Sequence, residues 1–593
     1  AQSLLFAVTV LIGLFGMWRF TARRTQLVWA KTGAVLVYAL GSGLQLAVET
    51  SDLGALALYA GGPFIADLAL TMLGPTPKSL DADRPAAPLT TDGMTQQAVR
   101  LGLVSAPVIA LAPSALVALF FFFLAWWFHW VAISWNRKET IQRGRWVLLS
   151  LPISLVVLIP WSIEALRPRG AILGPLLSGW GGGGTFGSLW KGFDFQSMLL
   201  FGKSGWFAPI LPVAVVLGAT LLASPSRRRE SRLLISSWLA AGLVAGAVAK
   251  GWIPSPVASP AIWTSLSFMG LAAIFGHFIA GIREELPRHA LGWRHGLAGV
   301  LSLAMAAGFA LSWVPTLTGW KRPPSSLAAP VGELGKSISS FFVSNAEALG
   351  EFRILWLGDR WSDPIRSGLR RMDGPSYFVT SESGLTMLDS QEPPPSDGER
   401  MLDSVVEAMA ARQLHTAGHV LAPASVRYIV VDTNDEEMMS ALARQRDIAL
   451  EHQQTGIAVF RNLEWLPRAA LAPTGIAEVA SSKTSAERDL MLAEWVGGRR
   501  IASDSQSAFT DELPRTHHPS ILIGDNFNAG WRASVGDTTL EHSEAFGWAN
   551  HFALPEGVSG EVSVNYSRRW VRIFWLVIQA WVIVMTIAMA RVR

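Results

Sequence analysis

The stretch APSALVALFFFFLAWWFHWVAIS, residues 112–134, decides the fold class of this chain. It contains no Asp, Glu, Lys or Arg, and a helix of about 20 mostly apolar residues is long enough to cross the hydrocarbon core of a bilayer. Four basic residues follow it closely, namely Arg137, Lys138, Arg143 and Arg145. An apolar run that ends in a basic cluster predicts a transmembrane helix whose carboxyl end faces the cytoplasm.

The whole chain repeats this pattern. Only 16% of its 593 residues are charged and its mean hydropathy is +0.33, whereas a soluble protein carries about 25% charged residues. The sequence therefore predicts a polytopic α-helical membrane protein with about nine spans. The predicted spans lie near residues 2–18, 28–48, 112–134, 147–164, 206–223, 233–252, 262–282, 296–315 and 570–590.

The basic clusters predict the orientation of these spans, because positive charge accumulates on the cytoplasmic side. A cluster follows every odd-numbered span, and the loops after the even-numbered spans are longer and less basic. The clusters are Arg19, Arg23 and Arg24; residues 137–145; residues 227–232; residues 283–294; and Arg591 with Arg593. We therefore expect a multi-pass protein of the plasma (inner) membrane, with Ala1 outside, the C-terminus in the cytoplasm and residues 316–568 extracytoplasmic. An outside start without a signal peptide leads us to expect that part of a longer protein precedes it.

One apolar segment does not fit this count. Residues 53–73 are apolar enough to span, but a single additional crossing there would break the alternation of the charges. We therefore predict a re-entrant or interfacial helix at 53–73. The apolar lead-in to the third span contains Pro107 and Pro113 and is also predicted to be interfacial.

The large outer segment reads like a soluble domain in two parts, followed by a C-terminal transmembrane helix at 569–593. In the first part, 316–470, short apolar runs at 352–357, 426–432 and 457–460 predict strands, and amphipathic segments near 400–416 and 435–445 predict helices. This alternation predicts an α/β domain. In the second part, 471–568, short runs separated by Gly, Asn and Asp predict a small antiparallel β unit.

Four strings in the outer segment resemble a known family. They are LAPASVRYIVV (421–431), VFRN with LPRA (459–469), GDNFNAGWRA (524–533), and FGWAN with LPEG (546–557). In this order they resemble the outer C-terminal region of YfhO-like membrane proteins. They are also similar to large actinobacterial membrane glycosyltransferases, in which a family 2 glycosyltransferase domain precedes such a region.

The resemblance implies work on cell-envelope glycans with polyprenyl-phosphate-linked sugars, and a cytoplasmic catalytic domain upstream of this chain or on a separate protein. The expected partners are the lipid bilayer and a polyprenyl-linked sugar or envelope glycan. A net charge of +4 is too small for this length to predict nucleic-acid binding. The absence of cysteine excludes disulfides and thiol catalysis.

Three acidic residues are the candidate catalytic groups. Glu49 and Asp52 follow the second span directly, where a lipid headgroup would lie, and a carboxylate there would act as a general base or hold a divalent metal. The other interpretation of Asp52 is a helix N-cap. Asp67 lies inside the apolar run 53–73, and an ionisable residue at membrane depth is a functional candidate.

Basic and aromatic residues supply the candidate binding groups. Arg167, Arg169 and Lys250 are candidates for holding a lipid phosphate, although a lysine at a span end also snorkels to the interface. Trp531 and Trp548 would stack on sugar rings or else pack in a core. His517 and His518 lack a third ligand at suitable spacing, so no metal site is predicted there.

Two functions remain open at this stage. The first is the membrane and outer portion of a glycosyltransferase, and the second is a non-catalytic module that binds glycan or lipid carrier and assists export. Loss of transfer on replacing Glu49, Asp52 or Asp67 would favour the first.

Overall fold

The computed structural model divides the chain into two compact units. They are a helical unit (residues 1–324 and 575–593) and a second unit (residues 325–574), which we call the outer unit after its predicted location. The residues described are 2–41, 43–44, 47, 53–73, 91–133, 137–159, 161–166, 210–222, 225–249, 260–288, 292–305, 341–346, 351–357, 377–381, 396–454, 456–472, 499–500, 503–505, 508–512, 520–555, 560–567 and 569–591.

The helical unit consists of helices of 5 to 26 residues, joined by short connections or by segments outside those ranges. In chain order they are α1 (Gln2–Ala22), α2 (Val28–Leu40), α3 (Leu53–Leu73), α4 (Thr91–Leu111), α5 (Ala115–Ile133), α6 (Arg137–Val157), α7 (Trp161–Ala165), α8 (Ile210–Leu221), α9 (Pro225–Ala249) and α10 (Pro260–Glu285). A further helical stretch covers residues 293–305.

The prediction of nine spans is not supported. Among the described residues, four helices are long and apolar enough to cross a membrane, namely Gly54–Leu73, Ala115–Ala132, Ile262–Glu284 and Val571–Ala590. Three of these coincide with predicted spans, whereas Ala7–Ala22 and Val28–Leu40 are apolar but shorter. Helices α6 and α9 begin with strongly charged turns, RKETIQRGR and PSRRRESR, and are not among the four.

The prediction of an interfacial or re-entrant helix at 53–73 is not supported, because the segment is one of the four candidate spans. Helix α3 is continuous over 21 residues, and 78% of its apolar window is buried inside the protein. A second 21-residue helix, α4, follows α3 and packs against it, and it also replaces the predicted interfacial lead-in.

Helices α1 and α3 lie side by side and run in the same direction. A Cβ atom added to Gly13 would lie 2.5 Å from the Tyr59 ring, and one added to Gly16 would lie 2.6 Å from the Phe64 ring. Glycine at both positions therefore lets the two helices approach closely. Following the contact further along both helices brings Arg23 and Arg24, just after α1, to Asp67 on α3.

Where the sequence predicts an α/β domain, the outer unit contains a mixed five-stranded sheet, sheet A. Its strands are β1 (Arg353–Leu357), β2 (Tyr377–Ser381), β3 (Val426–Val431), β4 (Ile448–Gln454) and β5 (Ile457–Asn462), in the order β2-β1-β3-β5-β4. Only β1 and β3 are parallel. The two faces of the sheet enter different cores: Leu355 and Leu357 face one, and Ile354 and Trp356 face the other.

Helices α11 (Asp397–Ala410), α12 (Ala417–Leu421) and α13 (Glu436–Ala443) contribute side chains to the first of these cores. Helix α11 begins with a capping box, in which the Ser396 hydroxyl accepts from the Glu399 amide at 3.3 Å and the Glu399 carboxylate accepts from the Ser396 amide at 2.7 Å. Its buried residues Leu402, Val405, Val406 and Met409 recur at helical spacing.

The predicted small β unit is larger than expected. It contains two antiparallel five-stranded sheets, with strand orders β13-β14-β10-β6-β7 (sheet B) and β12-β11-β15-β9-β8 (sheet C). The strands are β6 (Ala469–Ala472), β7 (Arg499–Arg500), β8 (Ser503–Ser505), β9 (Ala508–Glu512), β10 (Ser520–Ile523), β11 (Trp531–Val535), β12 (Thr538–Thr539), β13 (Glu541–Ala545), β14 (Ala549–Ala553) and β15 (Glu561–Tyr566). Helix α14 (Arg569–Arg591) follows them.

Sheet B packs on both faces. Ile521 and Ile523 share a core with residues of sheet C, whereas Leu522, between them, belongs to the core of the α/β domain. Because side chains alternate across a strand, the central strand β10 joins a β-sandwich to the α/β domain.

Candidate functional site

The most unusual polar group in the helical unit is the ion cluster around Asp67. The Asp67 side chain is 5% exposed, and both of its carboxylate oxygens accept from guanidinium groups. Arg23 Nη1 lies 2.5 Å from Oδ2 and Arg24 Nη1 lies 3.0 Å from Oδ1. A carboxylate buried between apolar helices requires such partners, because burial of an unpaired charge is very costly.

Arg24 extends the cluster to a third helix. Its Nε donates to Glu230 Oε1 on α9 at 2.5 Å, and its Nη1 donates to the Phe20 carbonyl at 2.8 Å. The guanidinium also lies over the Phe20 ring, 3.8 Å from the ring centroid. Two acids and two arginines therefore balance in formal charge while they join α1, α3 and α9.

His277 on α10 forms the fourth side of the cluster. The residue is 2% exposed, its Nδ1 lies 3.0 Å from the Ser231 hydroxyl, and its Nε2 lies 3.9 Å from Glu230 Oε2. The network thus connects polar and charged side chains from four helices at one end of the bundle.

This geometry suits binding better than proton transfer. A general base needs an oxygen available to the reacting proton, but both Asp67 oxygens are engaged by arginine. The Arg23 side chain, in contrast, is 45% exposed while Asp67 holds one of its terminal nitrogens. A guanidinium fixed in this way is suited to a phosphate group, because its remaining donors match phosphate oxygens.

Five predicted site residues lie outside the described part of the chain: Glu49, Asp52, Arg167, Arg169 and Lys250. His517 and His518 do so as well. Their predicted roles stay predictions. Within the described residues, no group of three or more metal-ligating side chains occurs.

The two tryptophans predicted to contact sugars lie in hydrophobic cores. Trp531 is 7% exposed and packs edge-on against Tyr566, with ring centroids 5.5 Å apart, in the core between sheets B and C. Trp548 is 4% exposed and belongs to the α/β core. Little of either indole face is open to a sugar, so the geometry agrees with core packing, which was the other interpretation of these residues.

A second ion cluster, which the sequence analysis did not select, lies in the outer unit. Asp525 accepts from Arg353 Nη2 and from Arg468 Nη2, each at 2.7 Å, and Arg468 Nη1 reaches Glu351 at 3.2 Å. Arg353 also donates to the carbonyls of Ala424 and Gly524. Two of these residues lie in the strings quoted above, Arg468 in LPRA and Asp525 in GDNF, but nothing in the sequence shows that they pair.

The arginines control the ionisation of Asp525. Burial alone would raise the pKa of its carboxyl, but the charges and hydrogen bonds of Arg353 and Arg468 outweigh burial and lower the pKa below the ordinary value. Burial opposes the charge of Arg468 in the same way, but its bonds to Asp525 and Glu351 prevail and raise its pKa. Both groups are therefore held in their charged forms. Their ion pairs join β1, β6 and the loop after β10.

Comparison with known proteins gives a limited result. No family model matches the chain, so the YfhO-like part of the resemblance is not confirmed, and no curated protein matches it in sequence. Among solved structures, the chain is similar to arabinofuranosyltransferase AftD from Mycobacteria, with 12% identity, a TM-score of 0.39, and coverage of 95% of this chain and 51% of that one. Two structures of a mutant of the same enzyme match at 14% and 13% identity, each with a TM-score of 0.36.

The chain thus spans about half the length of the solved proteins that it matches. Identity and TM-score are both too low to transfer a reaction, a substrate or a residue's role. The apolar helices nevertheless identify the chain as a membrane-bound protein.

Proposed function

We propose that this chain is the membrane and outer portion of a glycosyltransferase that acts in cell-envelope polysaccharide or glycolipid synthesis with polyprenyl-phosphate-linked sugars. The observation that carries the proposal is the way the family-like strings meet in the fold. Arg468 and Asp525, from two different strings, form an ion pair at 2.7 Å, and Asn462, from the same part of the chain as Arg468, donates to the carbonyl of Val426 in a third string at 2.9 Å.

These motifs are far apart in the sequence but contact one another in the fold. Contacting motifs support the resemblance better than four separate short matches would. The helical unit adds a membrane setting, which a lipid-linked sugar donor requires. Under this proposal Glu49 and Asp52 are the catalytic candidates, Arg167, Arg169 and Lys250 are the candidates for phosphate binding, and a divalent metal at the acidic pair is an allowed cofactor. AftD, by its name an arabinofuranosyltransferase, is of the same general kind, but the proposal does not rest on it.

One observation favours the second function, a non-catalytic module that binds glycan or lipid carrier for a partner glycosyltransferase. Asp67, the only catalytic candidate within the described residues, has both carboxylate oxygens engaged by arginine. A role in positioning Arg23 and Arg24 fits this arrangement better than catalysis does.

A transfer assay separates the two functions. The full chain, reconstituted in liposomes, is supplied with polyprenyl-phosphate sugars of several kinds and with an envelope glycan acceptor, and sugar incorporation is measured. Glu49→Ala, Asp52→Ala and Asp67→Asn are compared with Asp537→Asn, which changes an exposed carboxylate in the turn between β11 and β12.

If the chain is the catalyst, wild type and Asp537→Asn transfer sugar, and Glu49→Ala or Asp52→Ala reduces transfer by about two orders of magnitude or more, as expected for loss of a general base. Transfer that survives all three substitutions would contradict the catalytic assignment. Binding of the donor lipid without transfer by the wild type would support the module.

A further inference from the structure

The central strand of sheet A contains an irregularity at a charged residue. The register between β1 and β3 passes from the pair Arg353–Val426 directly to the pair Ile354–Tyr428, so Arg427 has no partner on β1. Such a bulge adds one residue to a strand, redirects its side chain and is frequent beside functional sites. Asn462 supports the bulge, because its amide donates to the Val426 carbonyl at 2.9 Å.

At the bulge, the guanidinium of Arg427 lies near three aromatic rings. Its central carbon lies 4.4 Å from the ring centroid of Trp465, 5.3 Å from that of Tyr428 and 6.0 Å from that of Phe352. Rings at these distances stabilise a cation through their π-faces. They offer no hydrogen-bond acceptor, however, and Nε of the guanidinium has no partner among the described residues.

Arg427 is buried, and one of its donors is unsatisfied. The residue is 7% exposed, and its Nε is enclosed. Among the described residues, no atom accepts a hydrogen bond from Nε and no carboxylate forms an ion pair with the guanidinium. Two other arginines of the same unit show the usual solution, because Arg353 and Arg468 share the carboxylate of Asp525. A buried guanidinium without such a partner is costly to maintain.

We propose that Arg427 is an oxyanion-binding site of the outer unit, which takes a carboxylate or phosphate group carried by a larger molecule. A planar guanidinium binds either group through two parallel hydrogen bonds. The aromatic rings hold the guanidinium in place and exclude water, which strengthens its bond to an anion. The approach is from the side of residues 463–467, where Trp465 is half-buried and Leu463 is 49% exposed.

A binding experiment on the full chain in detergent tests this site without any assumption about glycosyl transfer. Inorganic phosphate and glucuronate are titrated separately at constant ionic strength, with glucose as the uncharged control. Binding is followed by phosphorus line broadening for phosphate, by saturation transfer for glucuronate, and by hydrogen exchange of peptides that cover residues 426–431 and 463–467.

Three variants accompany the wild type. Arg427→Met keeps the length of the side chain and removes the charge. Arg427→Lys keeps the charge but removes the guanidinium, which can donate two parallel hydrogen bonds. Arg532→Met, which removes an exposed arginine on β11, is the matched control. Replacement of a buried, unpaired cation by an apolar side chain of similar volume is compatible with folding. Unchanged hydrogen exchange of β3 without ligand will show that Arg427→Met is folded. If Arg427→Met does not fold, Arg427→Lys serves as the second variant.

We expect the wild type and Arg532→Met to bind at least one oxyanion and not glucose, with slower exchange in both peptides. Arg427→Met should weaken binding about tenfold or more, because it removes charge-assisted hydrogen bonds, and Arg427→Lys should weaken it less. Binding of phosphate alone would identify a phosphate-bearing ligand, and binding of glucuronate alone a sugar acid. The proposal would be overturned if the wild type did not bind, or if both Arg427 variants bound as tightly as the wild type.

Discussion

The ion cluster of Asp525 makes a quantitative prediction about the outer unit. In Asp525→Asn the side chain keeps its shape but loses the charge that pairs with Arg353 and Arg468. Breaking a buried pair costs about 3–5 kcal/mol, but the two arginine side chains are 30% and 24% exposed and regain some hydration. We therefore expect the free energy of local unfolding to fall by about 2–3 kcal/mol.

Hydrogen exchange on the full chain measures this change directly. A loss of about 2–3 kcal/mol corresponds to roughly 30- to 150-fold faster exchange of protected amides. The effect should appear in β1, β6 and β10, because Arg353, Arg468 and Asp525 lie on or next to these strands. The matched control is Asp537→Asn, an exposed aspartate for which we expect a change of less than about 0.5 kcal/mol.

The effect also depends on pH in a defined direction. The pKa of Asp525 is lowered in the folded protein, so the unfolded chain takes up its proton first as the solution is acidified. The stabilisation is therefore complete above the unfolded value of about 3.9 and is lost as the pH falls through the lower folded pKa. If Asp525→Asn exchanges no faster than Asp537→Asn at neutral pH, the cluster does not stabilise these strands and the reasoning is refuted.

Three further predictions concern packing and pH. Gly13→Ala places a methyl group against the Tyr59 ring and should cost about 1–3 kcal/mol, seen as a lower thermal midpoint in detergent; Gly299→Ala, where the added atom meets nothing within 4 Å, should not lower it. Burial lowers the pKa of His551, so its contribution to stability should be complete above about 6.5 and lost on further acidification; faster exchange of β14 at low pH that persists in His551→Gln would contradict this. Trp548→Ala should destabilise the α/β core by about 3–5 kcal/mol; an unchanged unfolding midpoint would instead point to a surface role.

The candidate site shows how far the sequence could lead. Asp67 was selected as an unusual residue, because a carboxylate in an apolar run is visible in the sequence alone. Its partners were not predicted, because Arg23 and Arg24 lie 44 and 43 residues away from it. Both arginines had been explained as part of a cytoplasmic cluster. The sequence did not single out Arg427 either, because neither the bulge nor the surrounding aromatic rings can be predicted from the local sequence.

Composition and local periodicity were enough to predict the membrane class, the boundary between the apolar and the more polar region, and most strands and helices of the α/β domain. These features depend on composition and on periods of 2 and 3.6 residues, which are local properties. Long-range packing, in contrast, makes residues 53–73 a buried helix of the bundle, places Trp531 and Trp548 in cores, and pairs Asp67 and Asp525 with two arginines each. Each of these outcomes depends on which distant segments pack together, and burial and ion pairing are properties of that packing.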